Sequence, residues 1–291
     1  MVGGLCLCFF HCLAEICFTG DSILSGKSVK WLGQVTRGKT SRNRLRRVDI
    51  FCLLYCRAAL QGDGMFVDIG FGAEPFTTLE SAGRFRLLNP ALKVLGVEID
   101  PGRVAEAQTY GDPQTFFRLG GFNLPLQNGE KVGLIRAFNV LRQYEEAEVG
   151  QAHQTMGTYL QPNGWLIEGT SDPYGQIWVA NLLQKRATGP LAMVGLLFST
   201  NFKQGFEPTM FQPVLPKNHI HRMITGELIN DFIESWKQSY RETMAFRVWG
   251  DEAHFVASCR GLSGRGYTID SRLKLLNRGY LLWKTASPNP L

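Results

Sequence analysis

Asp68, Gly70 and Gly72 stand at alternate positions in "VDIGFGAEP", and Glu98 closes the apolar run "VLGVE" thirty residues after Asp68. Paired glycines let a backbone turn tightly and approach a ligand closely. A carboxylate at the tip of the neighbouring run can accept hydrogen bonds from both hydroxyls of a ribose. A dinucleotide fingerprint G-x-G-x-x-G needs glycine at position 75, where this chain has Pro75, and Asp68 would repel a pyrophosphate. The chemistry that fits is a ribose with a positive charge and no phosphate. Three residues are candidate bases for an acceptor that carries a proton: Asp172, His219 and His221. Asp172-Pro173 repeats the Asp100-Pro101 arrangement, so helix capping is a competing role for Asp172. In "PKNHIHR" the two histidines share a face if the segment is extended. That spacing also suits a metal-ligand pair, but no third ligand accompanies it. Flanked by Lys217 and Arg222, they suit an anionic acceptor or an ordinary surface loop equally.

These residues need elements to hold them. The stretch from Val48 to Leu60 reads as helix, and Met65, Phe66 and Val67 as the start of a buried parallel strand. "EPFTTLESAGRFRLL" is a helix with Phe76, Leu79, Ala82 and Phe85 at threefold spacing. "KVLGVEID" is a second strand, and Asp100 caps the helix that opens at Pro101. "TFFRL", "VGLIRAFNV" and "GWLIEGT" are the third to fifth strands, with "QYEEAEVGQAHQTMGTYL" the helix between the last two. The isolated His153 and His254 fall on predicted helices and read as structural. Such alternation means a mostly parallel sheet covered on both faces. After Asp172 it loosens. "PYGQIWVANLLQKR" reads as helix, "MVGLLFST" as strand, residues 201–226 as a long connection, and "LINDFIESWKQSYRETM" as an amphipathic helix. "GYTIDSRL" and "RGYLLWK" read as a closing antiparallel pair.

In order and spacing, "VDIGFGAEP", "VLGVEIDP", "FNLPL", "LIRAFNVL" and "LQPNGWLIEGT" resemble the successive motifs of the class I S-adenosylmethionine-dependent methyltransferases, with the chain resembling a bacterial-type member. The resemblance covers residues 48–172. It implies an α/β, Rossmann-like, doubly wound and mostly parallel seven-stranded sheet. An antiparallel C-terminal strand and an insertion after strand five, residues 173–226, that shapes the acceptor site complete the expected fold. S-Adenosyl-L-methionine is the implied cofactor, and its ribose, ammonium and sulfonium match the ligand chemistry above. Asp68, Gly70 and Gly72 would hold the methionine end, Glu98 the ribose, and Phe122 and Asn123 the adenine, with Asn139 at the mouth of strand four. The family often places an acidic residue beside the adenine amino group, and "LGGFNLP" has none. The amino-acceptor tetrapeptide Asn/Asp-Pro-Pro-aromatic and the Pro-Cys nucleophile are both missing from this sequence. Methyl transfer from a sulfonium is an in-line displacement that needs positioning, and a base only if the acceptor carries a proton.

Composition narrows the alternatives. Of 291 residues, 44% are hydrophobic and 19% charged, which excludes wholesale disorder and coiled coil. No run of apolar residues is long enough to span a bilayer, so no membrane role is expected. The formal charge of +6 is local: residues 27–47 hold eight basic residues and no acidic one, leaving the rest at −2. Residues 1–47 are accordingly read as a Cys-rich, then basic, poorly ordered extension, removable through residue 44 without harm to the fold. The domain proper is then residues 48–291. Cys6, Cys8, Cys12 and Cys17 lack the pairing of a zinc site, and residues 5–18 lack the basic flank of a signal peptide. A reduced cytoplasmic protein is expected. The function expected is methyl transfer to a small-molecule acceptor. The alternatives are an RNA-modifying methyltransferase that uses the basic arm and a non-catalytic cofactor-binding protein of the same fold.

Overall fold

The computed structural model describes residues 30–284. The cysteine cluster and the signal-like stretch of residues 5–18 lie outside the described residues. Two short helices open the domain, α1 (Arg46–Tyr55) and α2 (Arg57–Gln61). Then β1 (Met65–Ile69), α3 (Phe76–Arg86), β2 (Val94–Glu98), α4 (Pro101–Gln108), β3 (Thr115–Leu119), β4 (Val132–Phe138), α5 (Glu146–Tyr159) and β5 (Leu160–Ser171) alternate as expected. Asp100 caps α4 by accepting from the Gly102 and Arg103 amides. Three further strands follow: β6 (Ile177–Lys185), β7 (Leu191–Thr200) and β8 (Tyr280–Lys284). Between β7 and β8 lie α6 (Lys217–Ile220), α7 (Leu228–Glu242), α8 (Asp251–Gly264) and α9 (Leu273–Leu276).

The sheet order is β3-β2-β1-β4-β5-β6-β7-β8. Neighbours from β3 to β5 run parallel, and every pair from β5 onward is antiparallel. The fold is therefore the expected Rossmann-like α/β class, with two corrections. The sheet has eight strands, not seven, and its antiparallel part is three strands wide. Residues 173–186 are also not helical, because the chain reverses after β5 and returns as β6. Much of the segment read as an insertion, residues 173–226, is thus sheet. At the closing end only β8 is a strand, and residues 266–273 contribute a single bridge, Ile269 to Trp283.

Helices cover both faces. On one, Val48, Phe51 and Cys52 of α1 and Phe85 of α3 pack on Phe66, Leu134, Trp178 and Tyr280. On the other, Val149, Ala152 and Met156 of α5 pack on Val67, Leu95 and Ile135. There too, α7 and α8 bury Phe232, Trp236 and Phe255 against β6, β7 and β8. The apolar stripe of α7 is thus core. At roughly 25 cal/mol per Å² of apolar area, such side chains each contribute about 2–3 kcal/mol.

The boundary expected after residue 47 is also corrected. The compact unit begins at Trp31. Arg44 donates to the Lys39, Ser171 and Asp172 carbonyls, and Arg47 donates to Ser199 Oγ. Arg42 lies over the Phe76 ring. Arg44, Arg47 and Arg42 thereby reach oxygens and a ring far along the chain, at Ser171, Asp172, Ser199 and Phe76, so the basic segment from residue 31 is folded onto the domain.

Candidate functional site

The strand order reverses direction between β1 and β4, and in open α/β sheets ligands bind beyond the strands' carboxyl ends at that point. The turn after β1 supplies the floor. Gly70 and Gly72 adopt φ of 70° and 89°, where a side chain is strained. A Cβ on Gly70 would also meet Val140 at 2.6 Å. Glu98, buried at the tip of β2, has both carboxylate oxygens on backbone amides. Oε2 accepts from Gly72 at 3.0 Å and Oε1 from Ile99 at 2.9 Å. A cleft of about 460 Å³ opens above this turn, lined in part by Asp68, Gly70, Gly72, Phe138 and Asn139.

Asp68 is not a solitary carboxylate. It is the register partner of Arg136 on β4, and the two form a bidentate pair, Nε to Oδ1 at 2.9 Å and Nη2 to Oδ2 at 2.8 Å. Thr78 donates to the same Oδ2 at 2.7 Å. Arg136 also reaches buried Asp49 of α1 at 2.5 Å, and Arg84 closes the network on the other Asp49 oxygen at 2.6 Å. Burial opposes the Arg136 charge, but Asp68 and Asp49 outweigh it and raise its pKa above the ordinary range. Burial pushes Asp49 upward against the pull of Arg136 and Arg84. Arg136 is the residue that sequence reasoning passed over. Its signal was a charged side chain in the otherwise apolar run "VGLIRAF", opposite the lone charge in "MFVDI".

Asn139 holds a left-handed backbone, φ 60°, directly after β4. Its side chain explains the tolerance: Oδ1 accepts from the Ser171 amide at 3.0 Å and Nδ2 donates to Ser171 Oγ at 3.2 Å. This clamp ties the ends of β4 and β5 together at the cleft wall.

Phe122 lines the neighbouring crevice beside the Tyr144 ring, and both Phe122 and Asn123 bond to the N-terminal strap, residues 31–38. The Phe122 amide donates to the Leu32 carbonyl at 2.8 Å, and the Leu32 amide donates to Asn123 Oδ1 at 2.6 Å. The Gln34 amide donates to the Tyr144 hydroxyl. Gln143 donates to the Gln34 and Val35 carbonyls, and Arg103 to the Thr36 carbonyl. The Ala73 amide donates to the Gly38 carbonyl at 2.9 Å. The strap thus bonds to the segments following β1, β2, β3 and β4. The space left between it, Glu98, Ile99 and Phe122 is about 20 Å³.

The three candidate bases do not converge. Asp172 caps no helix; its Oδ1 accepts from the Gln176 and Ile177 amides and closes the turn into β6. His219 is buried on α6, 3.0 Å from Asn181 Oδ1 and 3.1 Å from Asn218 Nδ2. Burial, aided by Arg222 and His153, pushes its pKa down to about 3, so it stays neutral. His221 is exposed at the end of the same helix. The segment is helical rather than extended, so residues two apart point to different sides. Neither histidine lines the cleft. Of the two lone histidines, His153 lies 3.3 Å from buried Glu168, and His254 lies 2.8 Å from the Tyr240 carbonyl. Among the described residues no cluster of metal-ligating side chains occurs.

No family model and no curated protein matches the chain. Among solved structures it is similar to the CcbJ methyltransferase from Streptomyces caelestis, at 15% identity over 53% of this chain and 71% of that one, TM-score 0.32. It is similar to the N-methyltransferase NodS from Bradyrhizobium japonicum, at 18% identity over 44% of this chain and 68% of that one, TM-score 0.32. It is also similar to the [4+2]-cyclase SpnF, at 17% identity over 47% of this chain and 52% of that one, TM-score 0.33. The fold assignment rests on the strand order and direction of this sheet, which are those of a Rossmann-like α/β domain.

Proposed function

We propose that the protein binds S-adenosylmethionine and transfers its methyl group to a small-molecule acceptor. The observation that carries this reading is the pairing of the Gly70-x-Gly72 turn with buried Glu98 at the switch point of the sheet. The residues fit such a ligand. Glu98 is a buried carboxylate within reach of a ribose, and Ile99, Phe122 and Val140 offer apolar surface to an adenine. Asp68 would face the ammonium while Arg136 holds it in place, and Asn139 would face the methionine end. When bound, the cofactor supplies an electrophilic methyl group on sulfur. The chain's part is to orient the acceptor beside it. Since His219 is enclosed, His221 faces away and Asp172 is bound into a turn, positioning carries the reaction and no histidine base takes part.

Arg37, Lys39 and Arg142 line the cleft, and among the described residues none is paired with a carboxylate. That lining favours an acceptor with negative charge. It favours a small molecule over RNA, because Arg44 and Arg47 turn inward onto backbone and side-chain oxygens instead of presenting a free basic arm.

Calorimetry is the test. S-Adenosylmethionine and S-adenosylhomocysteine should bind, and NAD should not. Glu98→Gln sets an amide donor against backbone donors and should weaken binding about ten- to a hundredfold. Asp100→Asn, which keeps the α4 cap, should change it little. Heat with NAD alone, or equal damage from both substitutions, would overturn the reading.

A further inference from the structure

We propose that the strap of residues 31–38 is an internal competitor of the cofactor, holding the adenosine half of the site shut until the ligand displaces it. The inference rests on the cofactor reading above. Adenosine recognition at this crevice would need the Phe122 amide, the face of Ile99 and the surroundings of Glu98. The strap uses the first two now. Leu32 supplies the carbonyl that accepts from Phe122. Gly33 lies on the Ile99 side chain, so that a Cβ there would approach it to 3.0 Å. Gly121 is bare where the strap crosses, and a Cβ would stand 2.1 Å from the Leu32 carbonyl oxygen. A space of about 20 Å³ beside Glu98 holds roughly one water and no purine.

The strap is built to release. Its residues form no helix or strand, and of its apolar side chains Leu32 and Val35 stay exposed and Trp31 is half-buried, none being part of the core, so lifting it leaves the core intact. What holds it is a row of hydrogen bonds, two of them from backbone amides, those of Phe122 and Ala73, that an incoming ligand can also satisfy. Gly38, at φ 72°, supplies a hinge beside Gly72. Below the hinge, Arg44 fixes the chain to β5. Because only the open fraction binds ligand, the strap lowers apparent affinity by that fraction.

Two measurements on the full chain test this. Leu32→Pro/Gln34→Pro removes two strap donors and touches neither the glycine turn nor Glu98. It should bind S-adenosylhomocysteine about tenfold more tightly than the parent, with an unchanged circular dichroism spectrum. Hydrogen exchange should show the Leu32 and Gln34 amides losing protection when S-adenosylhomocysteine is added, while the Phe122 amide stays protected. Adenosine alone should produce the same pattern. Unchanged or weaker binding by the double variant, or increased protection of Leu32 and Gln34 with ligand, would overturn the proposal. The latter would make the strap a cover that closes on the cofactor. If neither protein binds S-adenosylhomocysteine, the cofactor reading itself fails and takes this one with it.

Discussion

Arg136 shows how a charge can sit in the centre of a sheet. It is fully buried on β4, yet each guanidinium nitrogen has an oxygen partner in Asp68, Asp49 or the Ser81 hydroxyl. Burying such a set gives little net stability, but removing one member strands the others. Arg136→Met leaves buried Asp68 without a guanidinium partner and Asp49 with Arg84 alone, and it should lower unfolding free energy by about 3–5 kcal/mol in urea titration. Arg136→Lys should recover only part of that loss, because an ammonium cannot span both carboxylates in the guanidinium geometry. The same network fixes the β1 carboxyl end from which Gly70 and Gly72 emerge. A residue that touches no ligand therefore sets the shape of the turn that would.

Among the elements, the turn joining β5 to β6 sets part of the cleft wall through Pro173. Asp172 holds it by accepting two amides, and Arg44 seals it from outside. Asp172→Ala should cost about 1–2 kcal/mol and lower Tm by a few degrees, while leaving S-adenosylhomocysteine affinity intact. A differential scanning measurement with and without ligand separates the two effects. The parallel half of the fold was legible in the sequence because its strands are short buried runs separated by capped helices. Strand β6 was not. "IWVANLLQ" is buried on both faces, so it lacks the alternation that marks a half-exposed strand, and periodicity alone does not separate it from a helix. The Asp-Pro-Tyr-Gly turn before it was the better signal. The positions of the glycine turn after β1 and of Glu98 at the end of β2 were legible because each follows a short apolar strand. The strap was not, since its order comes from bonds to loops about 35 to 110 residues away and no local pattern records those.

At the scale of the whole molecule, protonation links the buried histidine to stability. His219 titrates near 3 when folded and near 6.5 when unfolded. Between those values the unfolded chain binds the extra proton, so stability is complete above about pH 6.5 and falls as pH drops toward 3. The slope approaches about 1.4 kcal/mol per pH unit. Urea titrations between pH 6.5 and 5, above the range where carboxylates titrate, should show this slope, and His219→Gln should flatten it. A slope unchanged by the substitution would assign the effect elsewhere.

The contact between the two ends of the described chain has a consequence for how the molecule is made. The Tyr280 hydroxyl on β8 donates to the Arg47 carbonyl at 2.8 Å, and its ring lies 5.6 Å from that of Phe51 on α1. Phe51 also meets Trp178. During synthesis α1, the first helix among the described residues, must wait for β8, the last strand among them, before its apolar face is fully covered. The parallel strands can assemble sooner, since their partners all lie within residues 65–171. A chain truncated before residue 280 should therefore present Phe51 and Trp178 to chaperones, whereas one that includes β8 should not.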